Sequence, residues 1–482
     1  MHYNIIIRII SFFAMGFSLT LLAPIGVSLW YQDGELQHFE TAFLSIFLSG
    51  FIIWILFGRS KSGVLAAREG FLIVALFWIG ISFLAALPLY LGAHMNTVSA
   101  LFEAVSAFTT TGATVLKGLD DLPPSLLFYR QQLQWLGGMG LVVLGVAILP
   151  MIGVGGMQVY KAETPGPMKD EKLTPRLMQS ARILWLIYFS LTLACALAYW
   201  LAGMTPFDAV AHSLSTVSTG GFSTHDASLG YFHSATIESI AVVFMMLGAI
   251  NFSVHFFVLR KRNLLLYFKD VEARSFILFV IFMIILISIL LRVTGEYSTL
   301  PPSLHNAIFE VVSVVTSTGF GTVDFSHWHE VIGVSLIFIS FIGGCGGSTA
   351  GGMKVMRILI LLQQVKREIL KLIHPRSIIP IRIGGRILNQ RTTYAIWGFF
   401  SAYVGIFVIL MLMMMLTGLD QVTAFSAIAT CMNNLGPGLG DVASNFSSVS
   451  DGGKLISIFA MLTGRLEMFT ILVLLSPAFW RA

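Results

Sequence analysis

Apolar residues run along this chain in long blocks, not in the half-and-half spacing of a surface helix or the alternation of a strand. A hydrocarbon core about 30 Å thick takes about 20 mostly apolar residues per helix. Ten blocks meet that requirement, near residues 5–30, 39–57, 70–93, 126–152, 181–203, 235–259, 274–295, 328–362, 393–417 and 454–480. The first is too long for a cleaved leader, lacks a small-residue cleavage pattern and is followed at once by further blocks, so it reads as a retained helix.

Composition agrees with this pattern. The 482 residues are 56% hydrophobic and 11% charged, with mean hydropathy +0.84, whereas a soluble domain carries about 25% charged residues. So few charges cannot cover a soluble surface, which excludes a soluble enzyme, a nucleic-acid binder or a secreted disulfide scaffold. The partner implied is the lipid bilayer, and the net charge of +5 is no sign of nucleic acid.

The basic residues orient the blocks. Arg59, Lys61 and Arg68 fall on one side with Lys161, Lys169, Lys172, Arg176 and Arg182, with Arg260, Lys261, Arg262, Lys269 and Arg274, and with nine more from Lys354 to Arg391. Lys117, Arg130, Arg292 and Lys454 fall on the other. The positive-inside rule makes the crowded side cytoplasmic and places both termini there. Cys195, Cys345 and Cys431 stand alone in apolar stretches, as small buried residues do. The scattered histidines lack the spacing of a metal site.

The opposite-side loops carry the informative pattern. Between blocks three and four, five and six, seven and eight, and nine and ten, a segment too short to span ends in small residues and glycine: Thr109 to Thr114, Ser218 to Ser223, Thr316 to Thr322, and Asn433 to Gly438. Aligned on Gly112, Gly220, Gly319 and Gly436, the clusters recur at 108, 99 and 117 residues. A helix, short re-entrant segment, helix unit repeated four times predicts an all-α polytopic membrane protein with four pore repeats around one central pore plus an extra N-terminal helix pair. The expected divisions are 1–66 for the extra pair and 67–160, 161–262, 263–372 and 373–482 for the repeats.

Non-helical backbone at membrane depth is tolerated where it is buried in protein or lines a watery cavity. Glycine reaches dihedrals that turn successive carbonyls toward an axis, and carbonyl rings replace an ion's hydration shell. A lone Thr-x-Gly is more often a turn; four at matching positions point to a filter. The candidates are Thr110, Thr111 and Gly112; Ser218, Thr219 and Gly220; Ser317, Thr318 and Gly319; and Asn434, Leu435 and Gly436. Glu103, Asp208, Glu310 and Asp420 are expected near the starts of the short helices, where the dipole favours carboxylates and leaves the opposite end for a cation. Asp120 or Asp121, Asp226, Asp324 and Asp441 are either a ring at the outer mouth or ordinary solvated loop carboxylates.

These loops, the run Gly343-Gly344-Cys345-Gly346-Gly347-Ser348-Thr349-Ala350-Gly351-Gly352 and the closing Gly464-Arg465-Leu466-Glu467 resemble the Trk/Ktr/HKT superfamily of potassium transporters, and within it the bacterial Trk potassium-uptake membrane subunits. The resemblance covers essentially the whole chain. It implies a K⁺-permeable pore folded from one chain, with K⁺ held at the filter residues, a homodimer in the bacterial inner membrane, and regulation by a cytosolic nucleotide-binding TrkA-type subunit. It also implies that the four filter glycines help select K⁺. The fourth loop departs from the Thr/Ser pattern with Asn433 and Asn434, which argues against strict four-fold symmetry.

Block eight is too long for one span, and six of the ten residues from Gly343 to Gly352 are glycine. Each Gly costs a helix about 1 kcal/mol relative to Ala, so a loop within the membrane is expected. Gly343, Gly344, Gly346, Gly347, Gly351 and Gly352 are candidate gate residues; a tight helix-packing face is the competing reading. Arg465, deep in block ten, needs a partner or a function there and is expected to face the pore as a further gate residue, donating to the loop's carbonyls or repelling K⁺. A nucleotide-driven pump fails because Met353 separates Gly352 from Lys354 and breaks the P-loop pattern. An intramembrane enzyme lacks convergent catalytic groups. No catalytic residue and no organic cofactor are expected, and a Na⁺-dependent Ktr-type transporter is the alternative within transporters.

Overall fold

In hydrocarbon every backbone N–H and C=O needs an internal partner, and the computed structural model meets this almost wholly with helices. It describes residues 1–57, 67–140, 177–466 and 468–481. In chain order the described α-helices of eight residues or more are α1 (Tyr3–Thr20), α2 (Leu22–Tyr31), α3 (Leu36–Leu56), α4 (Ala67–Gly92), α5 (Thr97–Phe108), α6 (Pro124–Gly138), α7 (Leu177–Leu201), α8 (Pro206–Val217), α9 (Ala235–Ala249), α10 (Phe252–Lys261), α11 (Val271–Val293), α12 (Leu300–Val315), α13 (Glu330–Ser340), α14 (Val355–Ile373), α15 (Gln390–Leu416), α16 (Gln421–Asn433), α17 (Asp451–Arg465) and α18 (Met468–Leu475). A small antiparallel hairpin pairs β1 (Arg382–Ile383) with β2 (Arg386–Ile387).

Among the described residues, six stretches are long and apolar enough to cross a membrane: Tyr3–Tyr31, Leu36–Leu56, Arg68–Gly92, Arg182–Leu201, Val271–Val293 and Gln390–Leu416. Two further candidates are bent pairs, α9 with α10 at 101° and α17 with α18 at 112°. The reading of blocks six and ten as continuous therefore needs correction, while block eight was expected to break at its glycine run. Blocks six and ten are broken helices. Block eight becomes the short α13, an irregular segment and the amphipathic α14. The described part of block four is α6, which carries Arg130, Gln131, Gln132 and Gln134; its remainder, like residues 58–66, lies outside the described residues.

The break after α9 has a structural cause. Ile250 is extended, and Asn251 caps α10 by accepting from the Ser253 amide. The carbonyls this frees are used: Ala249 O accepts from Cys345 N at 2.9 Å, Gly248 O from Thr349 N at 3.2 Å, and Leu247 O pairs with His255 Nε2 at 2.9 Å. The glycine-rich segment thus completes the end of a helix that has no continuation.

The short helices α5, α8, α12 and α16 form the buried centre. Asn96, Thr205 and Asp420 cap α5, α8 and α16. Only Asp208 lies in a first helical turn; Glu103 sits in the middle of α5 and Glu310 in the last two turns of α12. The expectation that both serve helix starts is wrong, because both stand beyond the first turn and reach elsewhere; α5 is capped by the neutral Asn96, and Thr299 at the start of α12 makes no side-chain cap bond.

A candidate filter and gate

Each short helix ends in the same backbone. Thr110, Thr219, Ser317 and Asn434 have φ of +56°, +51°, +52° and +53°. The next amides, of Thr111, Gly220, Thr318 and Leu435, reach back to the carbonyls of Ser106, Ser215, Ser313 and Thr430 at 2.8 to 2.9 Å. The residues after those, Gly112, Gly221, Gly319 and Gly436, are left-handed at +80°, +78°, +81° and +95°, where glycine alone avoids a Cβ penalty. The sequence alignment on Gly220 is therefore one residue out: Gly221 is the structural counterpart of Gly112. Two adjacent glycines left the register open, and the backbone decides it.

The four loops follow one another in a closed circuit. A side chain at Gly112 would collide with the Gly220 carbonyl, one at Gly221 with the Thr318 carbonyl, and one at Gly319 with the Leu435 carbonyl; one at Gly436 would come within 2.9 Å of the Thr111 carbonyl. Thr110, Thr111, Ser218, Thr219, Ser317, Thr318, Asn434 and Leu435 are all buried. Asn434 Nδ2 donates to Thr111 Oγ1 at 2.9 Å, tying the fourth loop to the first. Gln134 of α6 braces the second loop, donating to Gly220 O and accepting from Phe222 N.

Behind the loops, Glu103, His212 and Glu310 occupy one equivalent position, with Ala427 in the fourth repeat. Glu103 accepts from Thr114 Oγ1 at 2.9 Å and Val115 N at 3.0 Å, and pairs with Arg130 at 2.7 Å. Glu310 accepts from Thr322 N at 3.0 Å and from its hydroxyl at 3.1 Å. His212 Nε2 pairs with Ser223 Oγ at 2.9 Å. In the fourth repeat Ser426 Oγ, one residue earlier, accepts from Leu439 N at 2.9 Å. Each group holds the ascending limb of its own loop. Arg130 is thus no solvent-facing charge: it is 1% exposed and lies 4.1 Å over the Phe222 ring. Its place in an apolar block was the only signal that it needed a buried partner.

The loop aspartates divide. Asp120 pairs with His225, which also lies 3.5 Å from Asp208 and stacks on Tyr231; Asp226 accepts from Leu119 N at 3.0 Å. These contacts join the first loop to the second. Burial pulls the His225 imidazole down, but hydrogen bonds to Asp208 and Asp120 outweigh it, and its pKa is raised. Asp324 caps its own turn, and Asp441 is exposed.

The glycine-rich segment is irregular from Phe341 to Lys354, with Gly343, Gly347, Gly352 and Lys354 left-handed. It lies against the ends of the short helices. Thr349 Oγ1 donates to Val217 O at 3.1 Å and Gly248 O at 3.0 Å and accepts from Thr219 Oγ1 at 3.2 Å. The Gly351 amide donates to Ser317 Oγ, and Gly352 N to Asn433 O at 3.2 Å. Gly343 and Gly344 are buried in the first limb, Gly346 and Gly347 form its outer turn, and Cys345 is fully buried between them. Arg465 closes α17 at the 112° bend, not within a continuous span; Nη1 donates to Thr349 O at 2.9 Å and Nη2 to Gly137 O at 2.8 Å, beside the Trp78 ring. Glu467 lies outside the described residues. Glu272, His212 and Gln134 escaped the sequence reading, since nothing local marks them.

Residues 37–481 match the TrkH family model, described as a cation transport protein. The chain is 50% identical to the Trk system potassium uptake protein TrkH of Vibrio parahaemolyticus and 47% identical to that of Escherichia coli K12, with the whole of each chain covered. It is 40% identical to TrkG of Escherichia coli K12 over all of this chain and 99% of that protein. The crystal structure of the potassium transporter TrkH from Vibrio parahaemolyticus superposes with a TM-score of 0.91 at 47% identity, covering all of both chains. On these matches, and with apolar helices suited to a bilayer, the chain is a membrane protein and belongs to the TrkH family of cation transport proteins.

Proposed function

We propose that this chain is the K⁺-translocating subunit of a bacterial Trk uptake system. The observation that carries the reading is the closed circuit of four equivalent left-handed loops, each at the C-terminal end of a buried short helix. Four negative helix ends converge there, which favours a cation, and closely packed carbonyl-bearing backbone suits a dehydrated ion. The full-length relatives named as Trk potassium uptake proteins support K⁺ as cargo and favour the Trk reading over the Ktr-type alternative.

In this reading the filter is built of Thr110 to Gly112, Thr219 to Gly221, Ser317 to Gly319 and Asn434 to Gly436, and the glycine segment with Arg465 forms a gate beneath it. Ten membrane passages, bent ones included and the four short re-entrant helices not counted, divide as an extra N-terminal pair and two for each of four repeats, with both termini on the cytoplasmic side of the inner membrane. A homodimer and a nucleotide-binding TrkA-type partner complete the system. The basic residues of α14 form the partner's docking face, since a basic surface steers an acidic one.

The test is ion flux in liposomes with K⁺, Na⁺ and the pH gradient varied separately. K⁺ flux well above Na⁺ flux is expected. Equal K⁺ and Na⁺ permeation, unaltered by substitution at Gly112 or Gly319, would remove these loops from the filter.

A further inference from the structure

Glu272 stands in the first turn of α11 and is 7% exposed. A carboxylate at such a position ordinarily serves the helix end, but that end is already capped: Asp270 accepts from Ala273 N at 2.8 Å. Glu272 is therefore free to reach out of its helix. Its Oε1 accepts from Gly346 N at 2.8 Å and from Met356 N at 3.2 Å. Gly346 lies at the outer turn of the glycine segment and Met356 opens α14. One oxygen thus joins the turn of the segment to the start of the helix that follows it, through amides other than those that meet Ser317 and Asn433.

We infer that Glu272 is a latch, a positioning residue that holds the glycine segment in the closed arrangement as the counterpart of Arg465. The inference rests on the gate reading above. A buried carboxylate is tolerable only while hydrogen-bonded, and one of its two bonds comes from the segment itself, the other from the first turn of α14. Withdrawing the segment from α11 strips the carboxylate of the Gly346 donor and leaves that amide without its acceptor, so the latch favours closure. The chemistry required at 272 is an acceptor oxygen at the right reach, not the charge alone. Glutamine keeps that oxygen, alanine removes it, and aspartate draws it back by one methylene.

The chain supplies its own reporter. Cys345, the residue before Gly346, is buried with its amide on Ala249 O, and the other two cysteines, Cys195 and Cys431, are buried elsewhere. The full-length protein in liposomes is treated with a small methanethiosulfonate reagent, and K⁺ flux is measured alongside. Glu272→Ala is expected to speed Cys345 modification about tenfold, the scale of one hydrogen bond to a charged group, and to raise K⁺ flux while Cys195 and Cys431 stay protected. Glu272→Gln is expected to stay near the parent and Glu272→Asp to fall between.

Parent-like protection of Cys345 in Glu272→Ala, with Arg465→Ala in the same assay exposing it, overturns the latch and leaves the gate. Unchanged protection and flux in both variants overturn the gate reading itself. Equal exposure of all three cysteines in Glu272→Ala, or a Glu272→Gln variant as open as the alanine one, reduces Glu272 to a structural residue and also overturns the latch. Should Glu272→Ala not assemble, Glu272→Asp carries the test, and parent-like Cys345 protection in it counts against the proposal.

Discussion

The Arg465 guanidinium bridges two carbonyls that belong to different parts of the chain, Thr349 O at 2.9 Å and Gly137 O at 2.8 Å. The first lies in the glycine segment and the second near the end of α6, so one planar group ties the segment to the first repeat. Two directed N–H groups are used, and an ammonium cannot reproduce that fork.

Arg465→Ala is accordingly expected to raise K⁺ flux several-fold in liposomes, and deletion of Gly346 to Gly351 to do the same. Lysine at 465 is expected to restore closure only in part. Flux at or below the parent level in a well-folded Arg465→Ala protein makes the residue structural and removes it from the gate.

The register of the second loop yields a sharper contrast. A Cβ at Gly221 meets the Thr318 backbone and demands φ of +78°, whereas one at Gly220 needs no positive φ but must push aside the buried side chain of Gln134, which braces the loop. A left-handed non-glycine residue costs roughly 1–2 kcal/mol before any clash is counted. Gly221→Ala is expected to lower K⁺ over Na⁺ discrimination at least about tenfold, as are Gly112→Ser and Gly319→Ser, while Gly220→Ala, which displaces a side chain and not backbone, lowers it less. Relative permeability from bi-ionic flux measurements decides the matter, and the reverse order at 220 and 221 would refute the register.

Arg130 and Glu103 make a fully buried ion pair. Removing one partner from such a pair costs about 3–5 kcal/mol, because the other charge stays buried. Arg130→Met is therefore expected to depress the thermal midpoint in detergent strongly. Glu103→Gln with Arg130→Met is expected to recover part of the loss, which a double-mutant cycle of midpoints measures.

His225 ties the first loop to the second through Asp120 and Asp208, and its pKa is raised in the folded protein. A raised pKa means the folded state binds the proton more tightly. Its stabilisation is complete below the unfolded value of about 6.5 and fades as pH rises through the folded one. The thermal midpoint of the parent is expected to fall relative to that of His225→Asn between about pH 6 and 8. Parallel midpoints across that range would show that the contact contributes nothing.

On α14, Lys366, Arg367 and Lys371 stand beside Glu368. Reversing all three to Glu is expected to weaken binding of the purified regulatory partner in a salt-dependent manner while leaving ion selectivity unchanged. Equal affinity across the series, measured by titration at two ionic strengths, excludes this face.

Hydropathy alone was enough to show that this chain lives in a bilayer, because burying apolar residues in blocks of about 20 is a local property of composition and length. The loop clusters and the glycine run were equally legible, since their backbone demands are written in residue type: a run with six glycines in ten cannot hold a helix anywhere. Tertiary structure decided what is not local. The choice between Gly220 and Gly221 depends on which carbonyl of the third loop lies alongside. Whether Glu103 and Glu310 serve helix starts or loop limbs depends on how each loop folds back over its helix. The bends after Ala249 and at Arg465 interrupt apolar blocks that look continuous, because the freed carbonyls and the guanidinium find partners in a segment about a hundred residues away in the chain. Glu272 likewise reads as an ordinary first-turn acid until Asp270 is seen to fill that place and the glycine segment is seen to lie within reach of its oxygen.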